Sequence, residues 1–590
     1  MKPPFLRFDF PRPLCFSDPV RVIEAYSLAE VRPALRAVQA ASDAGCYAAG
    51  YVSYEAAPAF DPALQVVAPM SSQPLLWFGI FTEPCAPPDP EPGEYHLSEW
   101  EADSAFPLYE RAIHTIREAI AAGEVYQVNH TLRLGAHFQG DPLAFYRRLI
   151  GAQPPPFAAY LDLGHHQILS ASPELFFHRI GSHITTRPMK GTRRRGRWGE
   201  EDDQVAAELR ASQKDRAENV MIVDLLRNDL GRLAWPGSVH VPRLFEVERY
   251  PTVWQMTSTV EACLRPEVAL DEIFGALFPC GSVTGAPKIS ATRFIARLEA
   301  TPRQVYCGAI GYLTPNQEAV FSVAIRTALL DLETGRAEYG VGGGIVWDSD
   351  AAEEYEEAWS KADVLAGSAP FDLLETLLWE AGAYALLDRH LDRLQASAEF
   401  FGFDASRDRV KAALLAHGQQ RPEGAWRVRL RLPPDGAPQI ESAALSPLPP
   451  GPLQVGLART PVCRTDKFLC HKTTRRAVYE AHRSAQPDCF DVLLWNEEGE
   501  LTEFTIGNLV IEQGGRLWTP PRGCGLLDGT RRAELLAQGR LQERILRRED
   551  LDLASRIWLV NSVRGCVSVT FPGKLEPHGQ YTTGSRGIRG

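Results

Sequence analysis

Two lysines stand where a merely solvated ammonium would have no particular use. Lys190 lies in TTRPMKGTRRRGR (185–197), between a strand-like Ile184-Thr185-Thr186 and a Gly-Thr turn. Lys472 lies in CHKTTRRAVYEAHR (470–483), just ahead of an amphipathic helix. A lysine amine that has shed its proton is a nucleophile toward electron-poor carbon. Two acidic pairs accompany the first lysine. Glu354 and Glu357 share one helix face by their spacing of three, and so do Asp215 and Glu218. Carboxylates from two helices converging on one point suit Mg²⁺, which takes a few carboxylates together with water and an anionic substrate. The glycine-rich runs PCGSVTGAPK (279–288) and GVGGGIV (340–346) allow close backbone approach, and their N–H groups suit a carboxylate.

These residues need elements to hold them. FAAYLDLGHHQILSASPELFFHRI (157–180) reads as short strands around turns, and EAVFSVAIRTALLD (318–331) and AEYGVGGGIVWDSD (337–350) as strands. RAENVMIVDLLRNDLGRL (216–233) has apolar residues at helical spacing (Val220, Ile222, Val223, Leu225, Leu226, Leu230), and its nearly continuous apolar run predicts a buried helix. An acidic helix follows over 349–365. GSAP at 367–370 breaks the pattern, and a fresh helical unit begins at FDLLETLLWEAGAYALLDRHLDRLQASAEFFGF, with His390 and Arg393 on one face. The Pro- and Gly-rich stretches 86–93 and 447–452 read as loops within domains. Further on, EGELTEFTIGNLVIE (498–512) reads as strand, polar turn, strand. CGLLDGTRRAELL (524–536) puts Gly529 and Thr530 at a helix start, where free N–H groups favour a phosphate.

The bulk numbers bound the function. At 590 residues the chain exceeds a single core, and two or more domains follow. With 62 basic against 74 acidic residues and a net charge of −12, it is a poor partner for nucleic acid or anionic membrane. No apolar run reaches the roughly 18–20 residues of a membrane span, and prolines interrupt the N-terminus where a signal peptide needs apolar continuity. Eleven cysteines without a C-x-x-C pair point to a reducing cytoplasm, not a disulfide framework. Nucleotide-binding glycine motifs are absent.

Seven blocks occur in the order seen in the chorismate-utilising enzymes: SASPELFF (170–177), PMKGT (188–192), AENVMIVDLLRNDLGR (217–232), PCGSVTGAPK, YCGAIGYL (306–313), FSVAIRTA (321–328) and GVGGGIVWDSDAAEEYEEAWSKA (340–362). The chain resembles that family over roughly 100–365. Within it, anthranilate synthases carry alanine at the position of Lys190, and aminodeoxychorismate synthases carry lysine. The resemblance implies that Lys190 attacks ring carbon 2 of chorismate, that Glu174 protonates the departing hydroxyl, and that ammonia then adds at carbon 4. It also implies that Glu218 and Glu357, with Glu354 and Asp215 nearby, hold Mg²⁺. Tyr306, Arg326 and the backbone of Gly342, Gly343 and Gly344 would grip carboxylates, with Ser282 and Thr284 lining the site. Gln255 stands where anthranilate synthases carry a histidine, so no proton role is carried over to it. No glutaminase is legible, so ammonia is expected from a separate glutamine amidotransferase subunit.

The region 371–570 resembles the fold-type IV pyridoxal-phosphate enzymes, which include aminodeoxychorismate lyase and the branched-chain and D-amino-acid aminotransferases. This implies a Schiff base at Lys472, pairing of Glu503 with the pyridine nitrogen, and phosphate binding by Arg393, Gly529, Thr530 and Ser562. Arg476 and Asn508 match positions near that cofactor. The expected fold is therefore mixed α+β and α/β. Residues 1–366 form a chorismate-utilising domain of layered sheets, and 371–580 form a type IV domain of two α/β subdomains. The resemblances together imply a cytoplasmic enzyme of 4-aminobenzoate, and hence folate, synthesis, homodimeric through its second half. They leave open an aminotransferase in the second half, or an anthranilate or salicylate synthase in the first.

Overall fold

The structure is a computed structural model that describes residues 3–572 apart from 11, 71–72, 88–92, 152–154, 251, 363–364, 366–370 and 422. The expected break at 367–370, most of the loop at 86–93 and the end of the expected second domain lie outside the described residues. The chain divides into two compact units: Met1–Arg194 with Ala206–Ala369, and Arg195–Val205 with Pro370–Gly590.

The first unit is built on two ten-stranded sheets among the described residues. One has near one edge the long strand Gln127–Gly140, paired antiparallel with Arg336–Ile345. The other ends in Met189–Arg194, Val253–Cys263 and His183–Arg187. Alternation places Leu6, Phe8, Leu161 and Ile168 of the first sheet against Tyr51, Ile310, Tyr312 and Val320 of the second, so the sheets face each other across an aromatic-rich core. Helices close the outer faces. Leu28–Asp43, Gln213–Gly231 and Leu270–Leu277 pack on one side; Phe106–Ala121 and Lys288–Leu298 pack on the other.

Local signals explain the helices that matter most. Ser212 caps Gln213–Gly231 by accepting from the Asp215 N–H, and Asp350 caps Ala351–Ser360 by accepting from Ala352 and Glu353. The buried positions of the first helix (Asp215, Asn219, Ile222, Val223, Leu226, Leu230) form one stripe. Val220 faces outward, so the continuous apolar run is a stripe, not an all-round buried helix. The predicted strand 318–331 is two strands, Glu318–Val323 and Thr327–Asp331, which belong to different sheets. The break falls where Arg326 takes a φ of +51°.

The second unit carries a four-stranded and a nine-stranded sheet among the described residues. Its beginning, expected to be helical, is the strand Leu373–Glu380, followed by the helix Leu387–Phe401. Leu373 and Leu377 pack in one core with Leu391 and Leu394 of that helix, and this tertiary burial overrides the helical propensity of the leucines. The segment Arg195–Val205 is integral to this unit. Arg197 donates to the carbonyls of Arg464 (3.0 Å) and Gly523 (2.9 Å), and the Arg195 guanidinium lies over the Phe400 ring.

Candidate functional site

In the first unit the predicted residues gather around Lys190. The expected Gly-Thr turn is instead a strand with a bulge. Met189–Arg194 shifts register against Val253–Cys263 between Met189 and Thr192, and Gly191 takes a φ of +95°. The lysine is half-buried, and desolvation of its amine lowers its proton affinity against the opposing pull of Glu218. It points at Gly344: a Cβ built there would lie 2.5 Å from Lys190 Nζ and 2.0 Å from Gln127 Nε2. A side chain at 344 would have to displace both of these groups.

Glu174 is 2 % exposed, at the turn between two strands. Burial raises its carboxyl to about 7, against a hydrogen bond from Ser282 and the charge of Lys190. A carboxyl that still carries a proton near neutrality can serve as a general acid. Its Oε1 is buried with no hydrogen-bond partner among the described residues.

The other predicted residues divide. Arg326 is half-buried, in a strained backbone conformation, and desolvation lowers its proton affinity against the opposing effect of Tyr339 and Tyr250. Tyr306 is buried under the guanidinium of Arg133, 5.4 Å from its ring centre. Ser282 bonds Glu174, but Thr284 turns its hydroxyl back onto the Cys280 carbonyl at 3.0 Å. Of the three glycines, Gly343 and Gly344 face charged side chains, Glu354 and Lys190 respectively. A side chain at Gly342 would meet the His130 carbonyl of the neighbouring strand.

The carboxylates expected at Mg²⁺ are oxygen donors of the right kind but are not preassembled. Among the described residues no three acidic, His or Cys groups form a ready metal cluster. Glu354 accepts from Ser349 Oγ at 2.6 Å, and Glu357 pairs with Lys361 at 2.9 Å. Glu218 and Glu357 both favour the charged form of Lys190. Since Mg²⁺ commonly takes only one or two carboxylates beside water and substrate oxygens, this donor set fits it. Asp215 instead pairs with Arg193 at 2.8 Å.

Two amides, Gln127 and Asn219, were missed, and Gln255 was noted without a role. Gln127 is 2 % exposed, and neither its Oε1 nor its Nε2 has a partner among the described residues. Asn219 donates to the Lys190 carbonyl, and Gln255 to that of Gly191. Lys361 was missed as well, and it donates to the Gly342 carbonyl at 2.7 Å. Nothing in the spacing of these residues singles them out.

In the second unit Lys472 is half-buried between buried His471 and Thr473. Burial and the nearby charges of Arg393 and Arg476 lower it to about 8. Its carbonyl accepts from Leu374 N at 2.9 Å. Next to it, burial brings His471 down to about 3, and its neutral ring donates from Nε2 to the Arg197 carbonyl and accepts at Nδ1 from Ser397, each at 2.9 Å. Burial raises Glu503 to about 7, and it receives bonds from Tyr479 Oη (2.9 Å), Leu527 N (3.1 Å) and Asn508 Nδ2 (3.3 Å).

Arg393 places Nε and Nη2 on Glu375, at 2.8 and 2.7 Å, and Nη1 on the Asp528 carbonyl at 3.0 Å. Three of its five N–H groups are thereby engaged, and two remain for an anion. His390 joins the same carboxylate at 2.6 Å and meets Thr530 Oγ1 at 3.3 Å. Gly529 caps the helix Thr530–Ala537, and a Cβ there would collide with Asn508 Oδ1. Ser562 donates to the Thr376 carbonyl at 3.3 Å and borders a cavity of about 370 Å³. Arg476 donates to the Thr505 carbonyl. A lysine of lowered proton affinity, a buried carboxyl and a glycine-initiated helix fit pyridoxal phosphate in type and chemistry.

Comparison with known proteins agrees with both halves. The family model described as chorismate binding enzyme matches residues 9–367, and that described as amino-transferase class IV matches 372–570. An aminodeoxychorismate synthase of Streptomyces griseus is 47 % identical over 256 residues, covering 43 % of this chain and 35 % of that protein. Aminodeoxychorismate synthase component 1 of Salmonella typhimurium is 42 % identical over 266 residues, covering 45 % of this chain and 58 % of that protein. The chain thus spans between about a third and three-fifths of the curated relatives it matches. The crystal structure of anthranilate synthase component I from Streptococcus pneumoniae superposes with a TM-score of 0.53 at 28 % identity, covering 61 % of this chain and 92 % of that one.

Proposed function

The chain belongs to the chorismate binding enzyme family, and from that premise we propose that it makes 4-aminobenzoate in two steps, aminating chorismate at ring carbon 4 and then eliminating pyruvate. The observation that carries the reading is a half-buried lysine, Lys190, aimed at Gly344, with the raised carboxyl of Glu174 close enough to act on its charge.

In the first step the neutral amine of Lys190 bonds to ring carbon 2. The ring double bond shifts, and the carbon–oxygen bond at carbon 4 breaks. Glu174 gives its proton to the departing hydroxyl, which leaves as water. Ammonia then bonds to carbon 4, the double bond shifts back, and the lysine amine is expelled. Two modest displacements replace one difficult one. Arg326 and Tyr306, with the backbone at Gly343 and Gly344, orient the substrate carboxylates; Arg326 is suited to a two-point hold. Glu218 and Glu357, with Glu354 adjoining, would hold Mg²⁺, which supplies Lewis-acid stabilisation of substrate negative charge.

In the second step Lys472, with its lowered proton affinity, takes the proton from ring carbon 4, and the bond from the ring to the enolpyruvyl oxygen breaks. Pyruvate leaves and the ring becomes aromatic. Pyridoxal phosphate, when bound, supplies the electron sink for that proton removal. Glu503 would pair with its ring nitrogen, and Arg393, Gly529, Thr530 and Ser562 would hold its phosphate. A separate glutamine amidotransferase supplies the ammonia, and the chain works in the cytoplasm as a homodimer through its second half.

Incubation with chorismate, an ammonium salt, Mg²⁺ and pyridoxal phosphate tests the reading, with products identified by mass spectrometry. 4-Aminobenzoate and pyruvate in equal amounts are expected. Anthranilate or salicylate would overturn the first step. Supplied aminodeoxychorismate that yields no pyruvate would overturn the second and point to an aminotransferase.

A further inference from the structure

The bulge that carries Lys190 is held by two side chains that no reaction step uses. Because the register shifts between Met189 and Thr192, the carbonyls of Lys190 and Gly191 fall outside the regular ladder to Val253–Cys263. Backbone carbonyls withdrawn from water need other partners, and both find side-chain amides. Asn219 Nδ2, on the helix Gln213–Gly231, donates to Lys190 O at 3.3 Å. Gln255 Nε2, on the neighbouring strand, donates to Gly191 O at 2.9 Å.

Each amide is fixed from its other end. Asn219 Oδ1 accepts from Ser258 Oγ at 2.5 Å, and Gln255 Oε1 accepts from Thr192 Oγ1 at 2.8 Å. Both residues are buried, Asn219 completely. Gly191 permits the bend through its φ of +95°, and a Cβ there would press on Asp215 and Met256.

The consequence follows from strand periodicity. Successive side chains point to opposite faces, so a one-residue change of register turns a residue over. Regular pairing in place of the bulge would carry the Lys190 amine away from Gly344 and Gln127. We infer that Asn219 and Gln255 are positioning residues for Lys190, holding the bulge in the one register that aims its amine at the substrate ring. This rests on the nucleophile reading above and adds to it a specific device for orientation, a contribution that enzymes commonly draw on heavily.

Asn219→Leu and Gln255→Leu remove each amide. The turnover number for ammonia-dependent amination should fall about a hundredfold. The KM for chorismate should stay within about threefold, because orientation is lost and not substrate affinity. The Lys190 adduct recovered after acid quench should fall in step. Release of pyruvate from supplied aminodeoxychorismate should be unchanged, which reports an intact chain. Gln255→Glu keeps the acceptor for Thr192 and loses the donor to Gly191 with little change of shape. It serves where a leucine variant fails to fold, and should lose about tenfold. Full turnover in both Asn219→Leu and Gln255→Glu, or a raised KM at constant turnover, overturns the inference. An inactive Lys190→Ala beside them leaves the nucleophile reading standing, whereas an active Lys190→Ala sinks that reading itself.

Discussion

The hydroxyl of Tyr479 donates a 2.9 Å hydrogen bond to Oε1 of Glu503, and the Leu527 N–H reaches the same oxygen at 3.1 Å. Burial pushes this carboxyl up to about 7, and these two bonds oppose the rise. Tyr479→Phe removes one of them without changing volume, so Glu503 should hold its proton to higher pH and pair less well with a pyridinium nitrogen. Hydrogen bonds to charged groups contribute about 1.5–3 kcal/mol. Affinity for pyridoxal phosphate, measured by fluorescence titration at pH 7, should weaken at least about tenfold. Unchanged affinity would detach Glu503 from the coenzyme.

Gly344 offers a steric test in the first unit. A methyl at this position would lie 2.0 Å from Gln127 Nε2 and 2.5 Å from Lys190 Nζ, both ends of side chains that can move. Gly344→Ala should therefore fold, with both amines displaced. A displacement of about 1 Å at reacting atoms costs on the order of a hundredfold in rate. Amination should fall by that factor while the thermal midpoint shifts little. A fully active variant would show that Lys190 does not approach the substrate past residue 344.

What could be read beforehand and what could not separate along physical lines. Lys190, Glu174, Lys472 and Glu503 were legible because their chemistry is rare in the patterns around them. Glu174 and Glu503 are buried and the two lysines half-buried. Desolvation lowers the proton affinity of both amines and raises that of both carboxyls, and the rise at Glu503 runs against the ionised state that pairing with a pyridinium needs. Gln127, Asn219 and Gln255 were not assigned roles, because an amide has no intrinsic reactivity; its meaning comes from the partner that tertiary folding brings to it. The strand Leu373–Glu380 was read as helix for a similar reason. Its leucines favour helix locally, yet Glu375 at its centre is claimed by Arg393 and His390 from the helix Leu387–Phe401. The turn expected after Lys190 proved to be a bulge, since turn and bulge both ask for glycine at positive φ.

A buried ion cluster should dominate the acid stability of the first unit. Glu299 accepts from Arg303 Nη2 at 2.6 Å, Arg133 Nη2 at 3.0 Å, and both the N–H and hydroxyl of Thr131. Burial opposes its ionisation, but the charges of Arg303 and Arg133 hold it down to about 2. A carboxyl held below its unfolded value stabilises the fold above that value, and loses the contribution as pH falls from about 4.5 toward about 2. The contribution is on the order of 3 kcal/mol. Glu299→Gln leaves two buried arginines short of a counter-charge and should cost about 3–5 kcal/mol in urea unfolding at pH 7. The penalty should shrink toward pH 3, and a pH-independent difference would contradict the charge argument.

The pH dependence of amination tests Glu174 directly. Burial raises this carboxyl to about 7 despite the hydrogen bond from Ser282 and the charge of Lys190. A general acid acts only while protonated, so its active fraction falls as pH rises through about 7. Turnover, corrected for the unprotonated fraction of the ammonia supplied, should therefore decline on that side. Glu174→Gln should remove the limb and lower the rate by about 10²–10⁴-fold. Ser282→Ala deletes a hydrogen bond that favours the ionised carboxyl, so it should move the limb to higher pH while leaving the rate below it nearly unchanged. A limb that stays in place in Ser282→Ala, or survives in Glu174→Gln, assigns the proton to another group.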